Sequence, residues 1–217
     1  MLLARGKNQR FFDFVLLLQD FAQNDKRQMI TLTAVLLAGG ESRRMGRDKA
    51  TIELGGRPLW QRQLELLRYL RPEKIFVSAR SAPSWLPSTI ELLIDDAPSH
   101  GPLSGLTKGL AAMRTTHLLV LAVDMPFMTG GELSSLWKRA TIGCGVVPTI
   151  AERAEPLAAI YPAEAATDFQ AALSDSVFSL QPLVRNLAAT GKITLRPVAK
   201  EAAHFYRSVN EPCDLKL

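Results

Sequence analysis

Residues 37–49 read LAGGESRRMGRDK and follow directly on the apolar run Thr33-Ala34-Val35-Leu36. A strand that is apolar at nearly every position is buried on both faces, the pattern of a parallel sheet covered by helices. A turn after such a strand needs one glycine at most, not a glycine pair, a third glycine and a run of cations. Gly39 and Gly40 lack a Cβ, so the chain can turn tightly and aim backbone N–H groups at an anion. Arg44 adds a forked donor and Lys49 a point charge. An ordinary strand-to-helix turn with solvated cations would explain the glycine pair alone, but not the glycines, arginine and lysine together. The loop differs from a P-loop, because Arg47-Asp48 stands where Lys-Ser/Thr is required, and it is not G-x-G-x-x-G either.

Outward from this stretch the chain alternates. Strands are expected at 30–37, 74–78, 90–94, 117–123, 145–148, 156–161 and 193–197. Helices are expected at 58–70, 103–113, 131–139, 164–174 and 180–190, on apolar spacing such as Leu59, Leu64, Leu67 and Leu70. Alternation of this kind predicts a single three-layer α/β/α domain around a mostly parallel, Rossmann-like sheet. In such a sheet ligands bind outside the carboxyl ends of the strands. Asp124, closing the very apolar HLLVLAV of residues 117–123, therefore falls near the glycine-rich loop. A carboxylate there can hold a metal ion or cap the following turn, and its place at the end of a buried strand favours the metal.

The bulk numbers agree with one domain: 217 residues, 47% hydrophobic, with a net charge of +5. That positive excess suits anionic partners such as nucleotides, nucleic acid or phosphorylated metabolites, or simple solubility. Cys144 and Cys213 share no short motif and have no histidine at ligand spacing, so neither a zinc site nor a disulfide framework is indicated, and a reducing cytoplasm fits. FFDFVLLL at 11–18 is broken by Asp13 and too short to span a bilayer. Residues 1–28 are read as an N-terminal appendage, either an amphipathic helix lying on the domain or an over-extended start with Met29 as the alternative first residue. The functional domain is expected at 29–217.

The loop Leu37-Ala38-Gly39-Gly40-x-Ser42-x-Arg44-Met45-Gly46-x-Asp48-Lys49 resembles the signature of the nucleotidyltransferase superfamily, and its double glycine and Asp-Lys ending resemble the molybdenum cofactor guanylyltransferases. The likeness continues through Gly56-Arg57-Pro58-Leu59-Trp60, Asp95-Asp96 with Gly101-Pro102-Leu103-Ser104-Gly105, Val123-Asp124-Met125-Pro126-Phe127, Glu155-Pro156-Leu157-Ala158-Ala159-Ile160-Tyr161 and Val209-Asn210-Glu211-Pro212. It spans roughly residues 31–215 and implies a fold like that of the nucleotide-diphospho-sugar transferases.

The resemblance also implies an activity: transfer of GMP from GTP to the terminal phosphate of molybdopterin, with Mg²⁺ as cofactor and pyrophosphate as second product. Arg44 and Lys49 would hold the triphosphate and Asp124 the metal. Leu37, Ala38, Gly39 and Gly40 would line the nucleotide with main chain. Asp96, or Asp95 one residue earlier, would contact the nucleotide, and Asn210 would belong to the acceptor side. Expected partners are GTP, molybdopterin and the proteins of molybdenum insertion and molybdoenzyme maturation, with no nucleic acid and no membrane. Two positions depart from the family: Ser78 stands where asparagine is common, and Ser208 where the C-terminal motif has its first asparagine. His100, His117 and His204 sit in no triad-like context and are expected to be structural. Other readings are a cytidylyltransferase on the same pterin, a sugar- or alcohol-phosphate nucleotidyltransferase, and a nucleotide-binding or nucleic-acid-binding module without turnover. Gly39-Gly40 speaks against the first. The absence of Thr-Arg in the loop and of Pro-Lys at its end speaks against the second, and Asp124 against the third.

Overall fold

The computed structural model of the protein describes residues 30–39, 48–96, 99–175 and 178–209. The expected appendage at 1–28 lies outside the described residues, as do Gly40, Arg44 and Asn210.

Strand β1 (Leu32–Leu37) is buried along its whole length and lies inside the large sheet, with a strand on either side. Its alternate side chains point to opposite layers, as the pleat of a strand requires. Leu32, Ala34 and Leu36 join one apolar cluster, whereas Val35 and Leu37 join the other. Helices α1 (Leu59–Tyr69) and α3 (Gly130–Trp137) supply the first cluster with Leu59, Leu64, Leu67, Leu133 and Leu136. The second takes Leu103, Leu106 and Leu110 from α2 (Pro102–Ala112), Phe169 from α4 (Ala166–Ser174), and Leu183 and Leu187 from α5 (Leu180–Ala189). Three layers with a core on each side of the sheet follow from that division. Each fully buried leucine contributes about 1.5–3 kcal/mol, so the sheet is held firmly from both faces.

The remaining strands are β2 (Glu53–Leu54), β3 (Arg57–Pro58), β4 (Lys74–Ala79), β5 (Glu91–Ile94), β6 (His117–Ala122), β7 (Gly145–Ile150), β8 (Arg153–Ala154), β9 (Ala158–Pro162) and β10 (Ile193–Pro197). The sheet runs β10-β7-β9-β6-β1-β4-β5, with β8 paired to β7. Strand β1 is parallel to both β4 and β6, β4 is parallel to β5, and β7 is parallel to β10. Strand β9 runs antiparallel to β6 and β7, so the sheet is mixed at that point.

Two hairpins were not expected. Strands β2 and β3 close around Gly55 and Gly56, both with positive φ (61° and 73°), the conformation a two-residue hairpin turn needs. Strands β7 and β8 turn through Ala151 and Glu152, also at positive φ.

Register then brings the ends together. Leu37 sits opposite Ala122 of β6 and Ser78 of β4, and Ala79 opposite Ile94 of β5. The carboxyl ends of four parallel strands thus form one rim. Among the described residues, no helix is long and apolar enough to cross a membrane.

Candidate functional site

A cavity of about 300 Å³ opens on that rim. Strand β1 contributes Leu37 and the segment after it Ala38 and Gly39. Ser78 and Arg80 come from the end of β4, Asp95 from the end of β5, and Ala122, Val123 and Asp124 from the end of β6. Lys49, Gly101, Gly105 and Leu157 complete the wall. Main-chain hydrogen bonds past the strand ends lock these segments to one another. Ala38 N–H donates to Ser78 O (2.8 Å), Val123 N–H to Leu37 O (3.0 Å), Asp95 N–H to Ala79 O (3.0 Å) and Ala122 N–H to Leu157 O (2.8 Å). From the far end of the chain, Val209 N–H donates to Asp124 O at 2.8 Å.

Lys49 and Asp124 meet across the cavity wall. Lys49 Nζ donates to Asp124 Oδ2 at 3.0 Å, and the two side chains are 16% and 23% exposed. Lys49 opens a short 3-10 turn, Lys49–Thr51, whose cap is the carboxylate of Asp48 accepting Ala50 N–H at 2.9 Å. Ala50 and Ile52 are buried and anchor that turn in the core. Beyond Asp124 the chain is fixed by Gln63 of α1, whose Nε2 donates to Met125 O at 2.6 Å.

On the opposite side Asp95 is held by hydroxyls. Ser78 Oγ donates to Asp95 Oδ1 (3.1 Å) and Ser99 Oγ to Asp95 Oδ2 (2.8 Å). Asp96 points elsewhere. It is 89% exposed, accepts from Lys108 Nζ at 2.7 Å, and lines a separate hollow with His100, Ser104 and Thr107. Extended chain turns successive side chains to opposite sides, so Ile94 faces solvent, Asp95 faces the cavity and Asp96 faces away. The structure therefore brings Leu37, Ala38, Gly39, Lys49, Asp95 and Asp124 together and leaves Asp96 outside.

Glycine has distinct uses along this wall. A Cβ on Gly105 would lie 2.4 Å from Ser78 Oγ and 2.9 Å from Leu37 Cδ2, so only glycine lets α2 approach the strand ends this closely. At Gly39 a Cβ would meet Ala79 Cα, Asp95 Oδ2 and Arg80 N at 3.5–3.6 Å, which is ordinary contact, so protein packing alone does not demand glycine there.

None of the three histidines lines this cavity. His117 starts β6 at the amino-terminal edge, buried between Thr116 Oγ1 (2.9 Å) and Thr141 O (3.1 Å) and edge-on to Trp137; burial lowers its pKa. His100 stacks on Phe178, and His204 Nδ1 lies 2.6 Å from Glu201 O. Arg80 and Gly105 were not singled out as site residues in the sequence, and Ser78 was noted there only as a departure from the family's asparagine. For Gly105 the signal was present, since a glycine inside a helical pattern often marks close backbone approach.

Among the described residues no three His, Cys, Asp or Glu side chains cluster as a closed metal site. The donor set is instead open: two carboxylates, Asp95 and Asp124, lining one cavity. Mg²⁺ commonly takes one or two carboxylates and completes its shell with water and substrate phosphate, so Asp124 fits an ion shared with a phosphorylated ligand.

Comparison with known proteins gives this arrangement its context. A "probable molybdenum cofactor guanylyltransferase" of Opitutus terrae is 35% identical over 186 residues, 84% of this chain and 92% of that one. A molybdenum cofactor guanylyltransferase of Cereibacter sphaeroides is 35% identical over 147 residues, 66% of this chain and 75% of that one. The crystal structure of molybdopterin-guanine dinucleotide biosynthesis protein A from Archaeoglobus fulgidus has a similar fold, with TM-score 0.68 and 24% identity over 85% of this chain and 95% of that one. The model of the MobA-like NTP transferase domain matches residues 34–190, from β1 to the end of α5, and the chain belongs to that family.

Proposed function

We propose that this protein transfers GMP from GTP to the terminal phosphate of molybdopterin, forming the guanine dinucleotide and releasing pyrophosphate. The observation that carries the reading is the Lys49–Asp124 pair on the wall of a cavity bounded by the glycine-rich segment. A lysine there meets the triphosphate, and the aspartate beside it anchors a divalent cation. The relatives' names, molybdenum cofactor guanylyltransferases, support a guanylyl group and the molybdenum cofactor as the two halves of the product.

Roles follow from position. Leu37, Ala38 and Gly39 offer main chain to the nucleotide, and the space a side chain would take at residue 39 is left to the ligand. Asp95, held in place by Ser78 and Ser99, accepts from N–H or O–H groups of the base or ribose; it takes the part that the sequence assigned to Asp96. Arg44 and Gly40 would join Lys49 at the phosphates, and Asn210 would serve the acceptor.

No protein nucleophile is needed. The acceptor phosphate is largely dianionic at neutral pH, since its second pKa is about 6. One of its oxygens attacks the α-phosphorus, the bond to the bridging oxygen breaks, and the electron pair leaves with pyrophosphate. The protein's task is to align the two phosphates and offset their charge. Mg²⁺ on Asp124 would add charge neutralisation where the triphosphate is most negative. That no histidine lines the cavity accords with a reaction without a general base.

The test is pyrophosphate release with each nucleoside triphosphate, with and without molybdopterin, in Mg²⁺ and in chelator. Release that needs GTP, molybdopterin and the cation together is the expected outcome. A preference for CTP moves the chain to cytidylyl transfer, and release without the pterin removes the acceptor assignment.

A further inference from the structure

We propose that Trp85, on the connection from β4 to β5, is a positioning residue that fixes the triphosphate-binding lysine through Asp48. This rests on the reading that Lys49 contacts the triphosphate.

Asp48 immediately precedes Lys49, and both of its carboxylate oxygens are engaged. Oδ1 accepts Ala50 N–H at 2.9 Å and caps the turn on which Lys49 stands, while Oδ2 accepts the indole Nε1–H of Trp85 at 2.8 Å. Trp85 is itself held in place. Its ring stacks on Trp60 at 5.4 Å between centroids and 14° between planes, and Trp60 lies in the first turn of α1. The lysine turn is thus clamped from two directions. Ala50 and Ile52 are buried in the core beneath it, and Ile52 O accepts Leu59 N–H at 2.9 Å. Trp85 reaches it from a segment 37 residues away in sequence.

Packing alone does not explain the arrangement. Two stacked indoles would shield the loop equally well with the N–H turned to water. Here that N–H is directed onto the one carboxylate that sets the backbone of Lys49. A lysine has a long flexible stem and carries about 2 kcal/mol of rotamer entropy, so fixing its root limits where the ammonium can go. Alignment errors near 1 Å at such a contact cost phosphoryl-type reactions heavily. The bond connects the β4–β5 segment to the turn that carries Lys49.

Calorimetric titration with Mg-GTP tests this on five full-length proteins: the parent, Trp85→Phe, Asp48→Asn, Lys49→Ala and the double variant of Trp85→Phe with Lys49→Ala. Phenylalanine keeps a stacked ring and deletes only the donor. Loss of one exposed hydrogen bond to a charged group predicts about five-fold weaker GTP binding in Trp85→Phe, seen also as a rise in KM larger than the fall in kcat. Asp48→Asn, which cannot accept from both Ala50 and the indole, should show a similar loss. In the Lys49→Ala background Trp85→Phe should change nothing further, because its route to the ligand is gone. GTP affinity unchanged in Trp85→Phe overturns the inference, as does an equal added loss in the double variant. A purely structural role would lower the melting temperature and leave GTP affinity of the folded protein alone. Lys49→Ala binding GTP as well as the parent would remove the functional reading of Lys49, and this inference with it.

Discussion

Replacing Asp124 by asparagine separates what this residue does for the fold from what it does for the reaction. The side chain keeps its shape and one neutral oxygen, so Lys49 Nζ, now 3.0 Å away, retains an acceptor. The backbone bond from Val209 N–H to Asp124 O is untouched. What is lost is the charge component of a pair whose members are 16% and 23% exposed, between a surface ion pair and a buried one. Stability should therefore fall by about 1 kcal/mol, or roughly 2–4 °C in melting temperature for a domain of this size. Metal-free GTP binding should hold or tighten, because a negative charge beside the triphosphate is removed and residue 124 holds Lys49 less strongly. Turnover should fall much further, by about 100- to 1000-fold, the usual cost of deleting one electrostatic contact to the charge of the transition state. The assay is single-turnover formation of the guanine dinucleotide by folded Asp124→Asn, with GTP titrated with and without Mg²⁺. A rate within a few-fold of the parent would refute the reasoning: Asp124 would then be a structural partner of Lys49, and among the described residues Asp95 is the other carboxylate lining this cavity.

Three further outcomes are expected. Gly105→Ala should lower the melting temperature by several degrees and weaken GTP binding, because its Cβ would press on Ser78 Oγ and Leu37; the strain of about 1–3 kcal/mol exceeds the roughly 1 kcal/mol that alanine returns in helix propensity, and a thermal melt with and without GTP reads both. Mg-GTP should stabilise the fold by about 2.7 kcal/mol at a hundredfold excess over its Kd and raise the melting temperature more than Mg-CTP at equal concentration, and a larger shift with CTP would reverse the base assignment. Burial lowers the pKa of His117 below the ordinary histidine value, so its contribution to stability is complete above pH 6.5 or so and is lost as pH falls through the folded value. Melting temperature followed from pH 8 to 5 should thus decline less steeply for His117→Gln than for the parent, and identical slopes would show that His117 does not titrate with unfolding.

The fold was legible where one physical signal dominated. Strands β1 and β6 are apolar at almost every position and are buried throughout, and the leucines of α1 fall at helical spacing onto one core cluster. Direction was harder. The run Ala158–Pro162 reads alike in either sense, and its antiparallel setting depends on the turn before it. That turn passes through Ala151 and Glu152 at φ 47° and 66°, a conformation usually marked by glycine or asparagine, so no punctuation announced the hairpin. The β2–β3 hairpin did carry its mark, Gly55-Gly56, between strands only two residues long. At the candidate site, motif position pointed to Lys49 and Asp124, which the fold places on one cavity wall, whereas the choice between Asp95 and Asp96 turned on pleat parity one residue past β5. The bond from Trp85 to Asp48 joins segments with no local pattern in common, and only the folded chain brings them together.

The Lys49–Asp124 pair answers a problem that the cavity itself creates. A site for a triphosphate and a cation must hold a positive and a negative side chain partly out of water, and each alone would carry an uncompensated desolvation cost in the empty protein. Placing them 3.0 Å apart lets each satisfy the other until substrate arrives. On the proposed reaction the phosphates then take the lysine and the cation takes the aspartate, so binding exchanges one ion pair for two. Exchange of this kind lowers the net gain from ground-state binding, because the Lys49–Asp124 pair is given up as the two new ones form. The contacts that remain free to strengthen are those to charge appearing at the α-phosphorus and the leaving pyrophosphate, and only such contacts raise kcat. A lysine fixed at its root by Asp48, and an aspartate fixed by the end of β6 and by Val209, can make that exchange without moving the backbone that carries them.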